Sequence, residues 1–558
     1  MQTKKTLLTE FIKNNSKVIS ASFVFGFLSI VATIFIPIFL GKYYQIALHT
    51  HSARGKMFDV LFGNITTIKV FFIVFSVLII SKFITDFLMK YYLGITGELL
   101  AKNIRESLFL RQLNAKLEVH QKKETGLYLL RYTGDLSAIQ NYLTKGIITF
   151  VNDCLHLILA LIVLAFLNVH LTLILLASYP VIFISILYLN KKLKVLTGKR
   201  RNRRSNNLSF VSSRLNSILT IKVFNRQNVE NEKYAKGSTS LYQYGVKYYK
   251  LYSLIFALLP FMLYSMLALI LWIAYDMKHE GHYKIHGHIL LTFIMTMVNV
   301  IPVLKRILSV NFIWQAGDIS FTKLLRVYNA KQEVNQNPSD KEITSGSIEF
   351  KNVSFAFANG ENIINNLSFQ IPSNALILIS GEHQTGKSTL FKLITGLYEA
   401  KEGEILIGKI NINNYSKLLL RKKVTILSDE FPLIGKTVFE CISYSRKEEK
   451  RQPAFAILQK LGYVKESEGE NVLNQPIFEN GKNISYSQRK ILMLARALLT
   501  NKKILLLDEP FEGLDESLVN KIVVLLEEYR SNHTVLIIDR NKQHSLQYDL
   551  ELQLVKNN

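Results

Sequence analysis

Residues 381–389 read Gly381-Glu382-His383-Gln384-Thr385-Gly386-Lys387-Ser388-Thr389, with the spacing Gly-x4-Gly-Lys-Ser. An apolar run typical of a buried strand precedes the motif, and an apolar helical run follows it. Glycines at these positions let backbone N–H groups surround an anion, and the N-terminus of the following helix adds its dipole. We therefore expect this loop to bind nucleotide phosphates, with Lys387 at the β- and γ-phosphates and Ser388 on Mg²⁺.

A second chemical element lies downstream, where an apolar strand ends in two acids, Asp508 and Glu509. Such a pair is often only the end of a strand, but after a phosphate-binding loop it points to ATP chemistry. We expect Asp508 to join the Mg²⁺ shell and Glu509 to polarise the attacking water.

Length and composition predict a membrane protein of at least two domains. The chain has 558 residues, and its apolar excess lies mostly before residue 315. A net charge of +26 would suggest nucleic acid in a soluble protein. Here the basic residues lie beside apolar runs, which indicates the positive-inside rule, and the membrane spans given below exclude a soluble nucleic-acid ATPase as the main interpretation. The cysteines, Cys154 and Cys441, are too far apart in sequence to suggest a disulfide framework.

Six apolar stretches are long enough to cross a bilayer. They lie near residues 18–47, 68–94, 145–167, 169–190, 251–275 and 288–311. Residues 191–204 and 99–145 each carry eight basic side chains, whereas the opposite loops carry few. We therefore expect a multi-pass protein of the cytoplasmic membrane, with both termini and the long connections in the cytoplasm.

The connections predict helices that extend well beyond the membrane. Residues 68–115 contain no strong helix breaker, and a helix of that length would measure roughly 70 Å. Residues 329–346 are polar and aperiodic, as in a linker, and short strands then alternate with helices. We expect an α-helical membrane domain at 1–328, a linker at 329–346 and an α/β P-loop NTPase domain at 347–558.

Together these motifs make the chain similar to an ATP-binding cassette exporter half-transporter over nearly its whole length. Residues 125–135 resemble the first cytoplasmic coupling loop of that family, and residues 215–224 resemble the second. The resemblance implies ATP and Mg²⁺ as cofactors and a second half-transporter as partner, identical or different, so that two halves enclose two ATP molecules. Phe357 lies where the family stacks an aromatic ring on adenine, although a core phenylalanine is equally compatible. Asp515 matches the dimer-interface aspartate.

Three positions depart from the family pattern. Asp429 replaces a glutamine; its carboxylate still suits Mg²⁺ but lacks the amide donor. The signature reads Ile484-Ser485-Tyr486-Ser487-Gln488, in which two side chains replace glycines that permit close backbone approach. Arg540 replaces the switch histidine; it donates hydrogen bonds but carries no titratable proton near neutral pH. His544 is expected on the surface.

These departures suggest that ATP binds but is hydrolysed slowly or asymmetrically, with Glu509, Asp429 and Arg540 as the catalytic candidates. Either a different partner supplies a better signature, or two slow sites form in a homodimer. The expected activity is ATP-driven export of a small or amphipathic substrate, such as a lipid, a peptide or a drug-like molecule. The alternative is a regulatory or channel-like subunit that binds ATP without pumping.

Two further groups of residues leave more than one interpretation. Lys82, Asp86, Asp153 and His156 lie within or near the apolar runs, where ionisable groups are either functional or paired between helices. Residues 278–288 are rich in histidine and suit a metal or pH-sensing loop as well as an ordinary solvated one. Neither group identifies the substrate.

Overall fold

A computed structural model describes residues 2–47, 67–121, 131–279, 287–333, 343–357, 360, 362–464, 469–540 and 544–555. The chain divides into two compact units, Met1–Lys331 and Gln332–Asn558. The predicted linker at 329–346 spans this division, and its residues 334–342 lie outside the described ones. We call the first unit the membrane unit and the second the ATP-binding unit.

The membrane unit is helical throughout its described residues. Its helices are α1 (Lys4–Asn14), α2 (Ser16–Ala47), α3 (Ile68–Leu113), α4 (Leu117–Gln121), α5 (Arg131–Leu167), α6 (Val169–Asn216), α7 (Ile218–Val223), α8 (Gln227–His279) and α9 (Gly287–Tyr328). Two π-helical turns lie within α5, at Arg131–Asp135 and Thr144–Thr149.

Six of these helices are much longer than a bilayer is thick. The 46 residues of α3 form one helix, which measures about 69 Å at the normal α-helical rise. Five helices, α2, α3, α5, α8 and α9, contain a window long and apolar enough to cross a membrane. The sixth is α6, and its predicted span at 169–190 includes side chains outside the described ones. The predicted architecture of long helices with extensions beyond the bilayer is confirmed.

The described helices pack around α9, which lies against both α2 and α5. Buried apolar residues of α2, α5, α6, α8 and α9 form one continuous cluster that includes Ile34, Leu164 and Phe293. Only Asn168 separates α5 from α6, and its side chain accepts a hydrogen bond from the Leu171 N–H to begin the second helix. The predicted spans 145–167 and 169–190 are therefore joined by a single residue.

The ATP-binding unit is an α/β fold with two sheets. Its strands are β1 (Ile348–Ala356), β2 (Asn362–Ile371), β3 (Leu376–Gly381), β4 (Glu402–Ile407), β5 (Ile410–Asn411), β6 (Val424–Leu427), β7 (Ile504–Asp508), β8 (Thr534–Ile538) and β9 (Leu550–Leu554). Its helices are α10 (Lys387–Ile394), α11 (Lys417–Lys423), α12 (Val438–Ser443), α13 (Arg451–Lys460), α14 (Tyr486–Leu499) and α15 (Glu516–Arg530).

The two sheets have different topologies. The first is antiparallel, with the strand order β2-β1-β4-β5. The second is parallel, with the order β6-β7-β8-β3-β9. The central strands β3, β7 and β8 consist almost entirely of buried aliphatic residues, as expected for a parallel sheet covered on both faces. Because these strands are parallel, the residues that follow them meet at one edge of the sheet.

Candidate functional site

The loop 381–389 connects β3 to α10 at the carboxyl edge of the parallel sheet. Gly381 and Gly386 both have positive φ, at 148° and 88°. A side chain at Gly381 would collide with the carbonyl oxygen of Leu554 on β9, so the turn requires glycine for space as well as for conformation. The described geometry is that of a phosphate-binding loop at a helix N-terminus.

Within this loop Lys387 folds over the backbone that a phosphate would contact. Its Nζ donates to the carbonyl oxygens of Gly381 at 2.8 Å and Glu382 at 2.5 Å. Burial and the nearby Arg540 lower the pKa of Lys387. Thr385 is buried and its hydroxyl also donates to Glu382, whereas His383 and Gln384 are exposed. The lysine is therefore held over the loop by weak acceptors that an anion would readily replace.

Strand register brings the two acidic positions to this loop. Asp508 is paired with Ile538 on β8, and Ile538 is also paired with Ile379 on β3. Asp508 is hydrogen-bonded to the hydroxyls of Ser388 and Ser428, the latter at 3.3 Å. Burial nevertheless raises the pKa of Asp508. A buried carboxylate beside a hydroxyl supplies the hard oxygen donors that Mg²⁺ prefers, so these side chains fit that ion.

Glu509 makes close contacts with two charged side chains. The Nε of Arg540 lies 2.6 Å from its Oε1. Burial and a hydrogen bond with Glu512 raise the pKa of Glu509, and Arg540 opposes that effect. The Glu509 backbone has a φ of 50°, and its N–H donates to the Ile538 carbonyl at 2.8 Å. The predicted catalytic pair Glu509 and Arg540 is thus brought into direct contact.

The third predicted catalytic residue, Asp429, lies beside the signature helix. The Tyr486 hydroxyl donates to Asp429 Oδ2 at 2.9 Å, and Lys490 Nζ lies 3.3 Å from Oδ1. Among the described residues no bond joins Asp429 to Ser388 or Asp508. The neighbouring Ser428 makes that contact instead. The assignment of Asp429 as a metal ligand remains a prediction.

The signature residues 484–488 form the start of α14. Ser485 is the N-cap, and its side chain accepts from the Gln488 N–H at 3.1 Å while the Gln488 side chain accepts from the Ser485 N–H at 3.0 Å. The Ser487 hydroxyl lies 3.1 Å from that of Ser485. In the described structure none of these residues bonds to the loop 381–389 of the same chain.

The remaining predicted contact positions are both accessible. Phe357 follows β1 and is 43% exposed, with its ring edge-on to Phe355 and Tyr398. It is therefore not a core phenylalanine, which leaves a ring face for stacking. Asp515 is the N-cap of α15 and accepts from the Leu518 N–H at 2.8 Å.

The ionisable residues Lys82, Asp86 and Asp153 of the membrane unit are paired, the first two with each other within α3 and the third with Arg306 of another helix. Lys82 on α3 contacts Asp86 at 2.7 Å and the Ser29 hydroxyl of α2 at 2.8 Å. Arg306 on α9 binds both carboxylate oxygens of Asp153 on α5, at 2.6–3.0 Å. This pairing matches the structural interpretation of these residues.

The structure describes the other predicted features of this unit only in part. His156 is buried on α5. Residues 280–286 of the histidine-rich stretch lie outside the described residues, as do residues 125–130 of the first predicted coupling loop. The second loop, 215–224, contains the short helix α7, with Leu219 and Val223 at 76% and 79% exposure.

Three residues near the site did not stand out in the sequence. Glu512 contacts Glu509, and Lys490 contacts Asp429. His544 was expected on the surface, but its side chain is only 3% exposed and its Nε2 lies 2.7 Å from Asp539. Only Lys490 has a partner that is distant in sequence, 61 residues away. The one signal in the sequence is a lysine on the otherwise apolar face of α14.

A cavity of about 650 Å³ lies beside this group of residues. Its lining includes Glu509, Glu512, Asp539, Arg540 and His544. Four of these side chains are acids or arginine, and the fifth, His544, is paired with Asp539, so the cavity is suited to a charged group and not to an apolar ligand.

Comparison with known proteins agrees with this geometry. Residues 19–301 match the family model of the ABC transporter transmembrane region, and residues 364–512 match that of the ABC transporter. The chain is 27% identical over 485 residues to the ATP-dependent lipid A-core flippase of Haemophilus influenzae (strain 86-028NP), covering 85% of this chain and 81% of that protein. It is 26% identical over 465 residues to the flippase of the same name from Escherichia coli (strain K12), covering 83% and 79%.

A solved structure shares the whole fold. It is a bacterial Atm1-family ABC exporter with ATP bound, with a TM-score of 0.83, 18% identity, and coverage of 97% of this chain and 94% of that one. The described helices and sheets therefore follow an exporter architecture from end to end. The apolar helices, the phosphate-binding loop and the matched family models show that this chain belongs to the ABC transporter family, as an ATP-driven half-transporter in which one membrane unit is fused to one ATP-binding unit.

Proposed function

We propose that this chain exports an amphipathic, lipid-like molecule from the cytoplasmic side of the membrane, as one half of a two-chain transporter. The observation that carries the proposal is the meeting of the loop 381–389, Asp508 and Glu509 at one sheet edge, in a chain with long apolar helices. The lipid class rests on the names of the relatives, which are lipid A-core flippases. The orientation rests on the basic segments at 99–145 and 191–204.

Each residue at the sheet edge has a role in this proposal. Lys387 and the backbone N–H groups of 381–389 bind the ATP phosphates, and the exposed ring of Phe357 stacks on adenine. Ser388 and Asp508 would hold Mg²⁺, which would supply positive charge to offset that of the phosphates. Glu509 accepts the proton of the attacking water. Asp515 and the start of α14, at 485–488, contact the nucleotide of the other half.

Hydrolysis is proposed to be slow because Glu509 is not free to accept a proton. Its Oε1 lies 2.6 Å from the Nε of Arg540. The guanidinium stabilises the ionised carboxylate of Glu509 but cannot itself take a proton from water. For water to be activated, Arg540 has to leave Glu509 for another anion. The γ-phosphate of ATP is an anion of the right charge, and arginine binds phosphate oxygens in pairs.

Reconstitution into liposomes tests this function. A phospholipid with a fluorescent head group is placed in both leaflets, and a membrane-impermeant reductant reports the exposed fraction before and after ATP addition. We expect ATP to shift that fraction in the wild type but not in Glu509→Gln, which retains ATP binding. If the fraction does not move while ATP is hydrolysed, lipid transport is wrong; if Glu509→Gln hydrolyses ATP as fast as the wild type, the role of Glu509 is wrong.

A further inference from the structure

Two of the positions that depart from the family pattern contact each other in the ATP-binding unit. Tyr486 stands where the family has a glycine, and Asp429 where it has a glutamine. The Tyr486 hydroxyl donates to Asp429 Oδ2 at 2.9 Å, across 57 residues of sequence. This contact joins the side chains that are new at both positions. Losing the family residue at only one of the two positions would not explain it.

A buried charge holds the other oxygen of the same carboxylate. Lys490, one turn into α14, is only 2% exposed, and its Nζ lies 3.3 Å from Asp429 Oδ1. A buried ammonium is costly without an anion beside it. Asp429 is the carboxylate that forms an ion pair with Lys490 in the described structure. Both oxygens of the Asp429 carboxylate therefore contact side chains of α14.

The other side of Tyr486 faces the segment that follows the catalytic strand β7. A Cβ atom added to Gly513 would lie 2.5 Å from the Tyr486 ring, so the ring is packed directly on that glycine. The Tyr486 hydroxyl is also 3.3 Å from Glu512 Oε2. Glu512 in turn is hydrogen-bonded to Glu509, and its N–H donates to the Glu509 carbonyl at 3.4 Å. A continuous chain of contacts thus runs from α14 to Glu509.

We propose that Lys490, Asp429, Tyr486 and Glu512 form a brace that fixes the start of α14 relative to Glu509. All four are positioning residues, and Asp429 serves α14 in place of binding metal. The inference deepens the proposed function, since it rests on α14 contacting the nucleotide of the other half. Without the brace, each half still binds ATP through its own loop 381–389. Glu509 and the α14 of the other half are then less often positioned at the same nucleotide at the same time.

A double-mutant cycle between Tyr486→Phe and Asp429→Asn tests the brace. Tyr486→Phe removes only the hydroxyl and keeps the ring on Gly513. We expect each single variant to lower kcat about tenfold, and the double variant to be no slower than the slower single, because both remove the same contact. The dissociation constant for ATP should stay unchanged in all three. A double variant about a hundredfold slower, the product of two independent effects, overturns the proposal.

Tyr444→Phe is the matched control for loss of a tyrosine hydroxyl. The Tyr444 hydroxyl bonds to Arg496 at 2.5 Å, away from the brace. This variant should lower the unfolding temperature without changing kcat. If Tyr486→Phe behaves in the same way, with a lower unfolding temperature and an unchanged kcat, Tyr486 is merely structural and the brace is refuted.

Metal binding separates the two roles of Asp429 without measuring activity. Mn²⁺ bound with ATP is followed by electron paramagnetic resonance in the wild type, Asp429→Asn and Asp508→Asn. We expect Asp429→Asn to bind Mn²⁺ like the wild type, and Asp508→Asn to lose that binding. Equal losses in the two variants would make Asp429 a metal ligand. Both this measurement and the cycle can be read in a protein that transports no lipid, so a failure of the proposed substrate leaves the brace testable.

Discussion

At the scale of single residues, the pair between Glu509 and Arg540 has the most direct effect on the chemistry. A general base works best when its carboxylate is free and faces the water it activates. Here the carboxylate is 2.6 Å from a guanidinium that is always charged. The sequence-based expectation of slow hydrolysis therefore has a structural cause in the described contacts, although it remains a prediction for the rate itself.

Replacing Arg540 with histidine should accelerate hydrolysis. A neutral imidazole at pH 7.5 leaves Glu509 unpaired and still offers one hydrogen bond to a phosphate. We expect kcat of the purified protein in lipid to rise about tenfold. The double variant Arg540→His with Glu509→Gln should be inactive, which assigns the gain to Glu509. A fall in kcat in the single variant would mean instead that Arg540 itself is needed at the γ-phosphate.

Cys441 gives a pH dependence of stability with a defined sign. It is fully buried, and burial raises its pKa from an ordinary 9.0 to about 11. A raised folded-state pKa stabilises the fold below the ordinary pKa, and that contribution is lost as the pH rises through about 11. We expect the unfolding temperature to fall between pH 9 and 11, and to fall less in Cys441→Ala. Equal slopes in the two proteins would exclude this thiol as the cause.

At the scale of secondary structure elements, ion pairs position the membrane helices. Arg306 on α9 and Asp153 on α5 form a two-armed contact, with the Asp153 side chain 6% and the Arg306 side chain 50% exposed. Polar contacts of this kind hold helices together where apolar burial gives no preference between neighbours. The pair therefore fixes how α5 and α9 face each other.

Replacing one residue of the Arg306–Asp153 pair should lower the free energy of unfolding more than replacing both residues. Asp153→Asn leaves Arg306 without its carboxylate, and we expect a loss of about 1–2 kcal/mol, because only half of the arginine side chain is covered by protein. The double variant with Arg306→Gln should recover most of that loss. Thermal unfolding in lipid nanodiscs measures both. The control is Glu106→Gln, which removes a pair between two exposed residues of α3 and should leave the unfolding temperature unchanged. A double variant as unstable as Asp153→Asn would contradict the pairing.

At the scale of the whole molecule, the main prediction concerns the number of chains in the transporter. The loop 381–389 and the start of α14 belong to the same ATP-binding unit, yet no described bond connects them. In the family, the nucleotide on one half is completed by the signature of the other. A second copy is the simplest source, because every motif of the half-transporter is present here in some form.

The purified chain is therefore expected to form a homodimer. Light scattering in detergent should give the mass of two copies of the 64.0 kDa chain, and ATP with Glu509→Gln should increase that fraction. The matched control is Lys387→Ala with Glu509→Gln, which removes ATP binding and should abolish the increase. A chain that stays monomeric under all these conditions would favour pairing with a different half-transporter.

The sequence alone predicted the features that depend on local pattern. Apolar runs of bilayer length predicted the long helices, since helix periodicity and hydrophobic length are properties of neighbouring residues. The Gly-x4-Gly-Lys-Ser spacing after a strand predicted the phosphate-binding loop. The apolar strand ending at Asp508 and Glu509 predicted the second half of the site, because parallel strands end at a common edge. These elements are present in the structure at the predicted positions.

Contacts between distant side chains were decided only by the tertiary structure. The placements of Tyr486 near ATP and of Asp429 on a metal stay predictions, whereas the fold itself packs Tyr486 on Gly513 and joins its hydroxyl to Asp429. It also pairs Arg540 with Glu509 and buries His544. No spacing in the chain encodes these contacts, because they depend on the order of strands in the sheet and on where α14 packs. The sequence determined that the chain is a membrane protein with a phosphate-binding loop, and the fold decided which side chains meet at the sheet edge beside that loop.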